Sequence, residues 1–188
     1  MANNVNSCLQ VVEISPEGQK VWDGYVVERL CEDSNLAYYI ANNLETVTMS
    51  DMCEQIGAKW AFANDCDDDH VIIESAWSPV GEWAEMVAKA IGEVDPDVRL
   101  KLTYEDEMPN FIGVATFNAE GYVAHNDLDW DEIKELVIKG NSELEAMYDE
   151  EEGEWYPDKE DDAEDLFRDC MWDEINCWQE ENTEWEDE

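Results

Sequence analysis

Basic residues are scarce in this chain. Ten Lys and Arg and two His stand against fifty Asp and Glu in 188 residues, a formal net charge of -40. DNA, RNA and anionic membranes repel such a chain, so neither direct nucleic-acid binding nor electrostatic attachment to a membrane is expected. Long apolar runs are missing too, and none approaches the ~20 residues of a membrane span. Residues 1–7 lack a basic stretch followed by an apolar one. No export signal is read there, and a cytoplasmic location in a host cell is expected.

Chemistry-bearing motifs are absent as well. Cys8, Cys31, Cys53, Cys66, Cys170 and Cys177 form no C-x-x-C pair, and His70 and His125 are the only histidines. A zinc site is therefore not expected, and the cysteines read as buried free thiols. There is no G-x-S-x-G, P-loop, G-x-G-x-x-G or H-E-x-x-H segment. The chain reads as a non-enzyme without cofactors, and its two histidines as structural. Two aspartate clusters invite a calcium reading and fail it. An EF-hand loop needs Gly at position 6 and Glu at position 12. Counting from Asp65 those places hold His70 and Ala76, and counting from Asp127 they hold Glu132 and Ile138.

What the chain has is acid mounted on something that folds. Apolar residues make up 44% of it and nine are Trp, enough for a real core. Such a net charge opposes compaction, and solubility needs far less of it. Adaptation to high salt is the other source of such a composition. Nine Trp, six Cys and an uneven charge do not speak for it. Residues 127–188 hold 27 acidic and 4 basic side chains, against 23 and 6 in residues 1–126. A boundary is placed near Asp127, between a core of residues 1–126 and a denser acidic extension of residues 127–188. A compact chain of this length has a radius of gyration of roughly 16 Å and spans roughly 40 Å. That length of duplex DNA carries about 24 phosphate charges, comparable with the protein's own.

Periodicity in the first part is mixed. Residues 7–15, 59–64, 70–77, 98–104, 111–117 and 122–125 read as strands, and residues 21–29 as a weaker one. Residues 33–44, 50–56 and 80–92 read as helices. This order predicts an α+β sandwich with helices on one face of an antiparallel sheet. Trp60, Trp77 and Trp83 are expected in its core or on a sheet face. In the second part, Asp129 and Glu132 form a capping box for a helix. Residues 148–158 read as a loop, and a last amphipathic helix starts at Lys159. Its stripe is Ala163, Leu166, Phe167, Cys170, Met171, Ile175 and Trp178. Disorder is expected in the last few residues, after Asn182.

Three motifs in the middle of the chain carry a resemblance. Gly57-Ala58-Lys59-Trp60, Ser75-Ala76-Trp77-Ser78-Pro79, and Tyr104 with Asn110-Phe111, Gly113 and Gly121 follow one another in order. Over roughly residues 50–126 the chain resembles the YubB-type domain of phage and plasmid proteins. It departs from that pattern at Ile56, Ala61 and Val80. The resemblance implies a ferredoxin-like core and an origin on a mobile genetic element. It brings no catalytic residue and does not reach the acidic helical extension.

The candidate partner-binding residues are the acidic runs. They are Asp149, Glu150, Glu151, Glu152, Glu154, Glu160, Asp161 and Asp162 around the Trp155-Tyr156-Pro157 turn, and Asp67, Asp68 and Asp69 before the third strand. The expected function is a nucleic-acid mimic that occupies the basic channel of a host defence protein such as a CRISPR effector or a restriction enzyme. The alternative is an acidic adaptor or assembly protein that docks through an exposed stripe on its last helix.

Overall fold

A computed structural model describes residues 3–107, 109–149 and 152–185. Strand β1 (Asn4–Glu13) turns Val5, Ser7 and Leu9 inward. Helix α1 (Pro16–Trp22) starts on the Ser15 side chain, which accepts from Gly18 N–H, with Pro at its first position. It runs through a π-helical turn (Asp23–Val27) into α2 (Glu28–Glu32). Residues 21–29 are thus helical and not a strand. Their valines and tyrosine mimic strand composition, but Trp22, Val26 and Leu30 recur every fourth residue and are the ones buried.

The helix expected over residues 33–44 is instead two 3₁₀ turns, Leu36–Tyr39 and Leu44–Thr46. The Asn35 and Asn43 side chains accept from the N–H groups of Ala37 and Glu45, closing local turns that compete with helix. Helix α3 (Met49–Gln55), the β2–β3 hairpin (Ala61–Cys66 and His70–Ala76) and α4 (Gly81–Gly92) follow. Then come β4 (Arg99–Asp106), β5 (Phe111–Asn118) and β6 (Gly121–Asp129). The β5–β6 turn needs Gly121, whose φ is +115°.

The six strands form one antiparallel sheet in the order β2-β3-β1-β4-β5-β6. In the first four, β1 and β2 are parallel with β3 between them, and β3 and β4 are parallel with β1 between them. Helices α1 to α4 cover one face. The core there is built from Trp22, Trp83, Leu9, Leu100, Leu102 and Phe117, among others.

The chain then crosses to the opposite face. Asp129 caps α5 (Trp130–Gly140) through the expected box with Glu132. Short α6 (Ser142–Glu145) and a two-residue hairpin, β7 (Tyr148–Asp149) with β8 (Glu154–Trp155), replace part of the expected loop. Helix α7 (Glu160–Glu181) closes the layer. A second core joins Ile112 of β5 to Ile133, Val137, Leu144, Phe167, Met171 and Ile175. Helices therefore lie on both faces, the first set on one and α5 to α7 on the other.

The last turns of α7 are fixed to the sheet by polar contacts. Tyr104 and Gly113 face each other across β4 and β5, and the buried Gln179 amide donates to the carbonyls of both, at 3.4 and 3.1 Å. A Cβ at Gly113 would collide with the Tyr104 ring, so this pairing requires glycine. Lys101, on the face of β4 opposite Leu100 and Leu102, is 7% exposed and pairs with Glu180 at 2.6 Å. Thr116 Oγ1 donates to the Glu184 carbonyl at 2.7 Å.

The tryptophans expected in the core or on a sheet face separate. Trp83 is fully buried, Trp60 is half-buried, and Trp77 is 58% exposed with a φ of +71°. The strand ends at Ala76, and the left-handed step at Trp77 swings its ring outward, where Lys59 Nζ lies 4.7 Å from the ring centre. The six cysteines are free, and none is fully buried: Cys8, Cys66 and Cys170 are half-buried and the other three are exposed.

Three substitutions test this packing by urea denaturation. Trp83→Ala is expected to cost about 3–5 kcal/mol, whereas Trp77→Ala stays within about 1 kcal/mol. Gln179→Leu removes both sheet contacts of α7 and is expected to cost about 1–3 kcal/mol.

Candidate functional site

The acidic surface is assembled from three places. The first is the turn between β2 and β3. Asp67 N–H donates to the His70 carbonyl at 2.8 Å. The carbonyls of Asp67, Asp68 and Asp69 accept from Trp22 Nε1, Gln19 Nε2 and Val11 N–H at 3.1, 2.8 and 2.8 Å. The backbone is thus tied to α1 and β1, and all three carboxylate side chains are exposed. Asp69 also bonds His70 Nδ1 at 2.8 Å and holds the imidazole above its ordinary value, chiefly by that hydrogen bond.

The second place is the β7–β8 hairpin. Glu152 and Glu154 are exposed, Asp149 is half-buried, and Gly153 makes the turn at a φ of +74°. Glu150 and Glu151 lie outside the described residues. Rings hold this turn in place. Trp155 packs edge-on against Tyr148 at 5.2 Å and Phe167 at 6.2 Å, and Phe167 against Trp130 at 5.9 Å. Lys134 Nζ lies 4.7 Å over the Tyr148 ring and 3.4 Å from the Gly153 carbonyl. The spacing of charges along the chain gave no sign of this ring cluster. The Trp155-Tyr156 pair inside an acidic run was the available signal.

The third place is the outer face of α7. Lys159 at its N-cap makes no side-chain cap, and Glu160, Asp161 and Asp162 occupy the first turn. Their carboxylates suit the positive end of the helix dipole. Asp165, Asp169 and Asp173 continue along the exposed side at helical spacing. Glu180 and Glu181 stand in the last turn, with no basic residue there. That is the end where the dipole disfavours acids.

These places are not one cluster. The N-terminal part of α7 adjoins the β7–β8 hairpin through Phe167 and Trp155, so Asp149, Glu152, Glu154, Glu160, Asp161 and Asp162 lie in one acidic region. The Asp67–Asp69 turn sits by β1, where Gln10 faces Lys101, the partner of Glu180. It therefore lies toward the far end of α7, where Glu180 is about 28 Å along the helix axis from Asp161. The apolar stripe of α7 is spent inside the protein. Ala163, Phe167, Met171 and Ile175 are buried, and Leu166, Cys170 and Trp178 pack partly against the same core.

Cations do little to neutralise this surface. Arg29 lies 4.4 Å over the Tyr39 ring, and Lys59 and Lys134 also sit over rings. Among the described residues, Lys89, Lys139 and Arg168 pair with carboxylates one helical turn away on their own helices. Such exposed pairs contribute little to stability. No group of three or more His, Cys, Asp or Glu side chains among the described residues is arranged to hold a metal ion, and no helix among them is long and apolar enough to cross a membrane. No family model, curated protein or solved structure matches the chain. Its function is therefore argued from this geometry.

One carboxylate departs from the exposed pattern. Glu105 on β4 is half-buried, and desolvation raises it above its ordinary value of 4.5. The folded state therefore holds this proton more tightly than the unfolded state, and stability falls as pH rises through that window. Glu105→Gln is expected to raise the melting temperature at pH 7, with the gain shrinking as pH falls toward 4.5. Thermal melts of both proteins across that range check it.

Proposed function

We propose that this protein is a non-catalytic nucleic-acid mimic carried by a mobile genetic element. It acts in the host cytoplasm by occupying the basic nucleic-acid-binding surface of a defence protein, a CRISPR effector or a restriction enzyme. The observation that carries this reading is α7. Between Glu160 and Glu181 it bears ten carboxylates and one arginine. At 1.5 Å per residue the helix is about 33 Å long, so it carries about one carboxylate per 3.3 Å. One strand of B-DNA carries one charge per about 3.4 Å. The β7–β8 hairpin adds Glu152 and Glu154 beside its first turn.

Placement against the interest of folding supports the same reading. Glu181 at the negative end of a helix opposes the fold's own stability, so its use lies with a partner. A mimic needs no reaction. It competes sterically and through ion pairs with the Lys and Arg that otherwise hold phosphates, and its association is fast and salt-sensitive. We further read the first four strands and their helices as a ferredoxin-like core. Its support is the strand-helix-strand-strand-helix-strand order combined with the spatial order β2-β3-β1-β4. The adaptor alternative required an exposed stripe on α7; the burial of Ala163, Phe167, Met171 and Ile175 favours the mimic reading over it.

The test is competition. DNA binding by candidate effectors is measured with and without this protein across a salt series. Displacement at low salt that weakens steeply with added salt is expected, and no displacement at low salt refutes the reading. The variant Asp165→Asn, Asp169→Asn, Asp173→Asn, Glu154→Gln spares the first turn of α7. It is expected to weaken competition by about tenfold or more, the ~1.4 kcal/mol that a few charge-assisted contacts provide, while its urea midpoint stays within error or rises.

A further inference from the structure

The α5–α7 layer holds a groove that its acids do not explain. Trp130, Trp155, Phe167, Met171, Trp172 and Pro109 line a cavity of about 670 Å³. Trp130 and Trp172 are 41% and 40% exposed, although each has a large ring to bury. The floor is electrically balanced, unlike the rest of the layer, because Glu107 and Glu164 face it together with Lys134 and Arg168. Both cations have partners within the protein. Lys134 lies over Tyr148 and Trp155, and Arg168 bonds Asp165 at 3.0 Å. Beyond the rim the charge turns strongly negative, with Glu154, Glu160, Asp161, Asp165 and Asp169 all exposed.

An apolar, neutral floor inside an acidic rim selects an occupant of matching chemistry. We propose that the groove seats a large apolar side chain from a basic segment of the partner, whose flanking Lys and Arg pair with the rim carboxylates. The proposal rests on the mimic reading and adds an anchor to it: the carboxylates steer the partner, and the Trp-lined groove holds it. Aromatic pockets of this kind are where interface energy concentrates. A second copy of this chain is the poorer occupant. Docking two such layers would bring like charges together within a Debye length, about 8 Å at physiological salt.

The test uses two synthetic lysine-rich peptides of equal length and charge. One carries leucines at positions i and i+4, and the other carries glutamines there. Binding to the full protein is followed by calorimetry and tryptophan emission at low salt. The leucine peptide is expected to bind at least ~10-fold more tightly. Trp172→Ala and Trp130→Ala, each checked by thermal melting, are expected to abolish that difference while leaving the glutamine peptide unchanged. Trp172→Ala alone suffices if Trp130→Ala perturbs the fold. Neutralising Asp165 and Asp169 weakens both peptides alike. Equal binding of the two peptides, or a difference that survives Trp172→Ala, overturns the anchor and leaves the mimic reading standing. If neither peptide binds at low salt, the mimic reading falls and the anchor with it. A dimer in sedimentation equilibrium that Trp172→Ala dissociates gives the groove to a second copy and also overturns the proposal.

Discussion

Strand β5 is buried on both faces, and the rest of the structure depends on that. Ala115 and Phe117 point into the core under α4, while Ile112 points into the core under α5 and α7. A protein with fifty acidic residues repels itself, and the opposing force is apolar area removed from water. One sheet face would supply one such layer. Using both faces of β5 supplies two while adding only three helices and a short hairpin. The second layer is the one that carries the densest charge, so the strongest repulsion sits directly over its own compensating core.

The few cations follow a related logic. Lys89, Lys139 and Arg168 pair with carboxylates on their own helices, but not all the cations are used so. Here Arg29, Lys59 and Lys134 lie over aromatic rings, and the buried Lys101 holds the end of α7 to the sheet. Ring faces accept a cation without cancelling any surface carboxylate. Arg29, Lys59 and Lys134 leave the surface carboxylates uncancelled, while Arg168 pairs with Asp165 on the outer face of α7, which stays net negative.

Much of this was legible in the sequence, and the misses share a cause. Alternation marked Leu100, Leu102 and Tyr104, and the Asp129–Glu132 box marked the start of α5, because both signals are local. Residues 21–29 failed because composition was weighed above spacing: Trp22, Val26 and Leu30 were there to be counted. Trp77 failed because a strand's last residue can leave the sheet through one positive φ, which no side-chain pattern reports. The burial of Lys101 was out of reach for a different reason. Alternation placed it on the far face of β4, and only the return of α7 some eighty residues later turned that face inward. The acidic runs were visible as runs, but the Trp155–Phe167–Trp130 cluster that positions one of them joins residues from three elements. Composition could count those rings without pairing them.

Charge density alone does not make a mimic, because a disordered acidic tail has it too. Such a tail must be ordered when it binds, and that cost is taken from affinity. Helix α7 is fixed at both ends: Phe167 is wedged between Trp155 and Trp130 near its start, and Gln179 and Glu180 reach the sheet near its finish. Between those anchors the helical repeat alone sets the spacing of Asp165, Asp169 and Asp173. The aromatic content therefore has a second use besides filling a core. It turns a run of like charges, which would otherwise spread apart in water, into a row of fixed pitch.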